Sequence, residues 1–508
     1  MAGSPGSGVP ARPATGLTLA GMASPDSQLS FSSHLEHPHG RGLTPPGAFT
    51  GAAGGAACGD LIRISLAPAA GDPEGRISAA GFDASGCGAV QAAGSATVSL
   101  IEERPLLEAA RLGSDEIAAE LGGLLPGKMH AAELAADALH RALGAAAREA
   151  ALAPVEGRAL VAMSGGVDSA VAALLIAEEQ PATVACTLEL WADAENDGEA
   201  SCCSAQAVRS ARRLAHSLGM PHLSIDLRAE FRAGVVDGWL EDHRAGLTPN
   251  PCIRCNGNVR LDAMLELASR LGAGTLATGH YARVDESGPA PLLMTAADLA
   301  KDQSYVLSGL SPASLRRLRF PLGALTKPQV RALAERAGLA VARKRDSQDL
   351  CFLAGTDLAS FLDRHGSIAR RRGEVRGQDG TVLGEHDGSH LFTVGQRRGL
   401  GLSAPEPLYV LGTDAPSNTV TVGPRSELLA AAIPVREIVL HRPAAEVDGV
   451  RVRAHGRRLD CRLPGGLQAG RHERAAIELL AAAERTAPGQ LACLYAGEHV
   501  VGHGTIAA

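Results

Sequence analysis

Residues 162–169 read Ala162-Met163-Ser164-Gly165-Gly166-Val167-Asp168-Ser169, and this stretch decides the fold. The apolar run Arg158–Met163 before it reads as a short strand, Ser164-Gly165-Gly166 as a tight loop, and Val167–Glu179 as a helix. Glycines between a strand and a helix let backbone N–H groups and the helix dipole face one point, which suits an anion such as phosphate. The loop is not the GxxxxGK[ST] type, because the lysine is missing, and it is not GxGxxG. Downstream, strand-like Thr183–Leu188, helical Ala205–Leu218, and strand-like His222–Asp226 and Thr275–Thr278 continue the alternation. This predicts an α/β domain with a parallel sheet covered on both faces.

Outward from that unit, the chain of 508 residues is too long for one core, and at about 150 residues per domain three or four are expected. Residues 1 to about 50 are rich in Pro, Gly, Ser and His without apolar periodicity, and are expected to be mobile as far as His37. Leu61–Leu66 and Ile77–Phe82 read as strands. After Pro105, Leu106-Ala109-Ala110, Ile117-Leu121 and Leu134-Ala138-Leu139-Leu143 recur at helical intervals, giving an α+β module. From about Gly373 onward, short strands such as Leu408–Leu411, Thr419–Val422, Val450–Ala454 and Leu491–Leu494 alternate with Gly and Pro turns, which indicates small β modules. The expected boundaries are 1–30 without structure, 31–150, 157–365, 366–427 and 428–508.

Apolar residues are 45% and charged residues 20%, with no apolar run long enough to span a membrane and no basic-then-apolar leader at the start, so a cytoplasmic protein is expected. Ten cysteines are too dilute for a disulfide scaffold and point instead to metal or sulfur chemistry. The net charge of -7 hides an uneven distribution. Lys+Arg against Asp+Glu is 9 against 15 for residues 1–150 but 17 against 10 for residues 301–400. Arg343-Lys344-Arg345, Arg370-Arg371-Arg372 and Arg397-Arg398 in the basic part can neutralise RNA phosphates. With two Trp, four Tyr and eight Phe, broad stacking on bases is not expected as the main mode of binding.

The cysteines cluster in Thr248-Pro249-Asn250-Pro251-Cys252-Ile253-Arg254-Cys255-Asn256 and in Asp346-Ser347-Gln348-Asp349-Leu350-Cys351-Phe352. By itself a C-x-x-C leaves zinc, redox and iron-sulfur roles open. Its context narrows them. The SGGVDS loop resembles that of the PP-loop pyrophosphatases, which cleave ATP to AMP and pyrophosphate in order to adenylate a substrate. That resemblance implies an adenine nucleotide alpha hydrolase-like fold, with ATP contacted by Ala162, Met163, Ser164, Gly165, Gly166, Val167, Asp168 and Ser169. Ser164, Gly165, Gly166 and Ser169 would cradle the pyrophosphate, and Asp168 would help to hold Mg²⁺.

The TPNPCxxCN segment, Ala277-Thr278-Gly279-His280-Tyr281-Ala282-Arg283, Lys301-Asp302-Gln303-Ser304-Tyr305, Asp346–Phe352 and Phe392–Gly401 together resemble, in order, the bacterial tRNA-uridine 2-sulfurtransferase (2-thiouridylase) family. The resemblance implies adenylation of the C2 oxygen of the wobble uridine in tRNAs for Lys, Glu and Gln, followed by displacement of AMP by sulfur. In that family the cysteine matching Cys351 carries a persulfide, loaded by a donor such as a cysteine desulfurase, and the one matching Cys255 resolves it. Leu188 and Gly279 would lie near the nucleotide, while Asn250, Pro251, His280, Lys301, Asp302, Gln303 and Gln396 would contact tRNA. This chain departs from the commoner pattern at Cys252, where an Asp is usual. Cys252, Cys255 and Cys351 could therefore hold a 4Fe-4S cluster with one iron open to a sulfide, as the alternative to the persulfide.

Cys58-Gly59-Asp60, Gly86-Cys87-Gly88 and Lys128-Met129-His130, with His37-Pro38-His39-Gly40-Arg41-Gly42 and Leu134–Ala138, resemble the U-type iron-sulfur cluster scaffold family over about residues 30–150. The implied ligands, Cys58, Asp60, Cys87 and His130, suit a labile cluster or zinc. Ala131 stands where that family has a third cysteine, and the family's chaperone-docking segment is altered at Leu125-Pro126-Gly127-Lys128. The expected whole is multidomain: an α+β scaffold-like domain, the α/β PP-loop domain, a small β-rich central domain and a C-terminal β-barrel. A tethered carrier would raise local donor concentration to roughly millimolar. Glutamine-dependent and argininosuccinate-forming ligases share the loop, but their further segments are missing here. A cluster scaffold with an appended RNA-binding module is the remaining alternative, and it leaves the SGGVDS loop without a role.

Overall fold

In a computed structural model of the chain, the described residues are 25–54, 59–193, 204–344, 350–353, 355–454 and 456–507. The first domain is a three-stranded antiparallel sheet of β1 (Phe49–Gly54), β2 (Leu61–Pro68) and β3 (Ile77–Ser85), in that order. Alternate residues of β2 face inward, with Ile62, Ile64 and Leu66 buried under the helices Gly88–Ile101 and Met129–Glu149. The long helix rides so close to β1 that a Cβ on Gly51 would lie 2.1 Å from the Ala138 carbonyl oxygen, which only glycine permits.

This is the expected α+β arrangement, with three additions. Residues 25–36, expected to lack structure, form a helix whose Ser30 hydroxyl donates to the Glu120 carbonyl and whose His34 ring meets Ser95 Oγ at 2.9 Å. β1 also lies partly in the segment thought to lack core material. The helix Gly88–Ile101 has no polar face to set a period, because small residues bury it almost all round, and so it left no amphipathic signal.

The second domain holds β4 (Ala159–Ala162), β5 (Val184–Glu189), β6 (His222–Asp226), β7 (Thr275–Ala277) and β10 (Leu318–Arg319), all parallel in the order β10-β7-β4-β5-β6. Successive residues of β4 point to opposite faces. Ala159, Val161 and Met163 pack with Ala173 and Ile176 of the helix Val167–Glu179 and with Ala211 and Ala215 of the helix Ala205–Ser217. Leu160 and Ala162 join a second core with Met264, Leu265 and Ala268 of the helix Asp262–Arg270. The sheet is covered on both faces, as the alternation predicted.

That second core continues without a break into the first domain. Ion pairs frame the joint: Asp137 meets Arg209 and Arg212, Glu133 meets Arg209 and Arg213, and Arg141 meets Glu189. The connecting segment is pinned to both sides, with Ala153 N–H on the Pro73 carbonyl and Val155 N–H on that of Gly272.

The central sheet runs β12-β11-β14-β13, from β11 (Gly373–Gly377), β12 (Val382–His386), β13 (Tyr409–Asp414) and β14 (Thr419–Gly423). The last domain orders β15 (Leu429–Leu440), β18 (Gly470–Glu484), β17 (Leu459–Arg462), β16 (Gly449–Arg451), β19 (Leu491–Ala496) and β20 (His499–Ile506) side by side. Pairing of β15 with β20 closes these six strands into a barrel. The hairpin β8 (Arg283–Asp285) and β9 (Leu292–Met294) leaves the second domain and adds to this sheet through β20. Among the described residues, no helix is long and apolar enough to cross a membrane.

Candidate functional site

The glycine loop holds itself open by hydroxyl contacts. Ser164 N–H donates to Ser169 Oγ at 3.1 Å, and Ser169 Oγ–H donates to the Gly166 carbonyl at 3.1 Å. Gly165 sits at φ +69°, where a side chain would strain the turn. The helix that follows leaves its first-turn N–H groups without intrahelical acceptors, facing the loop. Gly279 approaches from the next strand end, and a Cβ there would lie 2.7 Å from the Ser169 nitrogen. Leu188 is buried in the wall beside the loop.

Asp168 is already partnered. Lys327 Nζ contacts both of its carboxylate oxygens at 2.8 Å, and the Tyr281 hydroxyl donates to Oδ1 at 2.9 Å. An ammonium and a phenol take up most of the acceptor capacity of the carboxylate and neutralise its charge, which weighs against the expected Mg²⁺ role. A second lysine, Lys344, donates to the Gly165 carbonyl at 2.9 Å.

A cavity of about 190 Å³ opens beside the loop, lined by Ala162, Met163, Ser164 and Leu188 together with Cys252, Cys255 and Cys351. The Asn250 side chain accepts from Cys252 N–H at 3.1 Å and caps the short helix Pro251–Arg254, and Pro251 is buried at its first position. Cys255 begins a π-helical stretch, Cys255–Leu261. Its wide turn brings Arg260, five residues on, to the same cavity. Cys351 is held by its neighbour Phe352, which lies in an aromatic cluster 5.3 Å from Trp239 and 5.9 Å from Phe231. Asp346, Ser347, Gln348 and Asp349 of the same motif lie outside the described residues.

Burial pushes the Cys252 thiol above its ordinary pKa, and the Arg260 charge works against that shift. Cys186, in the middle of β5, adds a fourth sulfur to the cavity wall, but burial raises its thiol to about 12. The sequence reading did not single out Cys186 or Arg260. Arg260 was traceable only as a cation following Cys255 in a helical run, whereas Cys186 looks like any apolar strand residue. Among the described residues the cavity thiols do not close within 4.8 Å of one another as a single-ion site would. A four-iron cluster is wider than one ion and takes thiolate ligands, and Cys252, Cys255 and Cys351 line one cavity.

The remaining expected tRNA contacts divide. His280 lies at the loop's edge, its Nδ1 2.8 Å from Thr278 Oγ1, and the protein packed around the ring pushes its pKa down to about 3, with the Arg260 charge adding to this. Lys301, Gln303 and Gln396 are half-buried. Gln303 accepts from Tyr281 N–H at 2.9 Å, and Gln396 braces its own turn through Thr393 N–H and the Arg398 carbonyl. Asp302 is buried: its carboxylate accepts from Ala296 N–H, from Ser304 and from Arg451 Nη1 at 2.6 Å. It is therefore a joint between the second domain and the barrel, and its side chain offers RNA nothing.

In the first domain, one ligand atom each from Asp60, Cys87 and His130 lie within 4.8 Å of one another. Cys87 N–H donates to Asp60 Oδ1 at 2.9 Å, and His130 Nε2 is 3.2 Å from Asp60 Oδ2. Cys58, expected as a fourth ligand, lies outside the described residues. Ala131 is fully buried. Sulfur, nitrogen and oxygen donors so close together suit zinc or the edge of a cluster.

Loop, thiol cavity and mixed-donor cluster define a PP-loop enzyme of sulfur chemistry joined to an iron-sulfur scaffold-like domain. Family models match in the same order: a NifU-like N-terminal domain over residues 29–151, a tRNA methyl transferase HUP domain over 157–355, a tRNA methyl transferase PRC-barrel domain over 359–424 and an aminomethyltransferase β-barrel domain over 433–506. The bifunctional protein NifU/MnmA of Rubrobacter xylanophilus is 43% identical over 93% of this chain and 97% of its own, and the tRNA-specific 2-thiouridylase MnmA of Geobacter metallireducens is 39% identical over 69% and 96%. The chain belongs to the NifU/MnmA family, the 2-thiouridylase fused to a NifU-like domain. Among solved structures, the U34-tRNA thiolase NcsA of Methanococcus maripaludis with its 4Fe-4S cluster is 18% identical, with a TM-score of 0.26 over 44% of this chain and 72% of that one.

Proposed function

We propose that the chain thiolates the wobble uridine of tRNAs for Lys, Glu and Gln: ATP adenylates the C2 oxygen, pyrophosphate leaves, and sulfur then displaces AMP. One observation carries this reading. A single cavity is lined by the end of the glycine loop at Ser164 and by Cys252, Cys255 and Cys351. An activated carbonyl and a sulfur nucleophile can meet there without the adenylate escaping to water. Exposed Arg370, Arg371, Arg372, Arg397 and Arg398 supply cations for the tRNA backbone. Neutral His280, which feels the charge of Arg260 in the cavity wall, can accept or donate a hydrogen bond to an extruded base.

Cys252, Cys255 and Cys351 would hold a 4Fe-4S cluster, which supplies an open iron to carry sulfide. The first domain, with Asp60, Cys87 and His130, favours this route over a persulfide, because a cluster carrier is tied to its consumer. A cysteine desulfurase, with a two-electron reductant to bring its persulfide sulfur to sulfide, would replenish the sulfur, and the reaction belongs in the cytoplasm. Pyrophosphate release from ATP that depends on unmodified tRNA, together with retardation of the product on a mercury gel, tests the reading. No tRNA-dependent release would leave the chain a scaffold with an RNA-binding module.

A further inference from the structure

A triphosphate brings three to four negative charges to a loop whose only ionisable side chain, Asp168, is itself an acid. Backbone dipoles alone meet that charge in part. The loop also lacks the lysine that a GxxxxGK[ST] sequence carries within itself. Two cations reach it from a distant part of the chain.

Lys327 opens the helix Lys327–Arg336, and its backbone N–H is fixed by Asp298 Oδ2 at 2.9 Å. The helix packs through Val330 and Ala334 on Val167 and Val171 of the loop's own helix. Lys327 is 8% exposed, and its ammonium holds both oxygens of Asp168. Lys344 follows on the segment after this helix, where Arg331 Nη1 bonds the carbonyls of Ala342 and Lys344 and sets the direction of the chain. Its Nζ rests on the Gly165 carbonyl, at the rim of the anion seat.

We infer that Lys344 and Lys327 form the cationic wall of the pyrophosphate seat, and that Asp168 positions Lys327 instead of ligating Mg²⁺. This rests on the ATP-dependent reading above. A phosphate oxygen outcompetes a neutral carbonyl for an ammonium, so Lys344 moves from Gly165 onto the bound nucleotide. Lys327 cancels the Asp168 charge that would otherwise repel the same phosphates. Magnesium then enters with the nucleotide, held by phosphate oxygens and water.

The experiment measures equilibrium binding of ATP, AMP and inorganic pyrophosphate to the full chain, with Mg²⁺ and with EDTA. Lys344→Met should weaken pyrophosphate and ATP on the order of tenfold while leaving AMP unchanged, and Lys344→Arg should recover most of the loss. Asp168→Asn removes a repelling charge and also the anchor of Lys327, so it should change pyrophosphate affinity by one factor that is the same with Mg²⁺ and with EDTA. Lys344 is exposed, so its substitution spares the core, and thermal unfolding checks the fold of the Asp168 variant. Two results overturn the assignment alone: wild-type pyrophosphate affinity in Lys344→Met, or an Asp168→Asn loss confined to the Mg²⁺ samples. A wild-type chain that binds neither ATP nor pyrophosphate overturns the reading beneath it as well.

Discussion

Arg141 grips Glu189 with two parallel hydrogen bonds, Nε to Oε1 at 2.9 Å and Nη2 to Oε2 at 3.0 Å, and so ties the scaffold-like domain to the strand end beside the thiol cavity. Glu189 is buried, and it immediately follows Leu188 of the cavity wall. Replacing Arg141 by Met should leave a buried carboxylate short of partners and cost about 1–3 kcal/mol. The expected readout is a lower midpoint of thermal unfolding and faster hydrogen exchange in β1 and β6. Unchanged exchange in both strands would show that the apolar core alone holds the joint.

Asp302 and Arg451 make a comparable prediction at the other end. The Asp302 side chain is fully buried, and Arg451 is its cation. Arg451→Met leaves that charge uncompensated and should destabilise the chain by about 3–5 kcal/mol. tRNA affinity, measured below the new unfolding midpoint, should stay within about twofold. Full stability with selectively weakened tRNA binding would restore Asp302 to the RNA surface.

The cysteines separate two routes for sulfur. Cys252→Ala should lose iron, acid-labile sulfide and visible absorption after anaerobic purification, along with thiolation. A variant with wild-type iron and activity would remove Cys252 from the site, and a full chain that thiolates tRNA without iron would favour the persulfide on Cys351.

Asp285 and His499 join the hairpin to the barrel at 2.8 Å. Hydrogen bonds from Ser287, then from His499, lower the Asp285 pKa from 3.8 to about 2. A depressed carboxylate stabilises the fold above its unfolded pKa, and the contribution fades as pH falls from about 4 to about 2. Acid titration of hydrogen exchange in β8 and β9 should show loosening in that window, and Asp285→Asn should abolish it. The same acid profile in the variant would exclude the pair as its cause.

Deleting residues 1–150 should slow thiolation when sulfur donor is limiting. If the truncated chain folds and matches the full chain at limiting donor, delivery by the first domain is excluded.

Much of this architecture was legible because its signals are local. Strand, glycine loop and helix follow one another within residues 158–179, and Asn250 caps Cys252 from two positions away. The helix Gly88–Ile101 was missed because burial on nearly every side erases the apolar stripe that marks a helix. The pairing of Asp168 was hidden for a different reason. Its true partner, Lys327, stands 159 positions away and has no motif of its own. Asp302 shows the same limit, since its motif neighbours suggest a surface while Arg451, 149 positions on, fills the carboxylate.

Strand β20 closes the barrel against β15 and also receives β9, through His499 opposite Met294 and Val500 opposite Leu293. On the ribosome, the hairpin emerges some two hundred residues before the strand it pairs with. Until then β9 presents a raw sheet edge, open to pairing with a neighbouring nascent chain. β20 is thus a seam that stitches the middle of the chain to the barrel, and a chain cut short before it would expose three unzipped edges, on β15, β19 and β9.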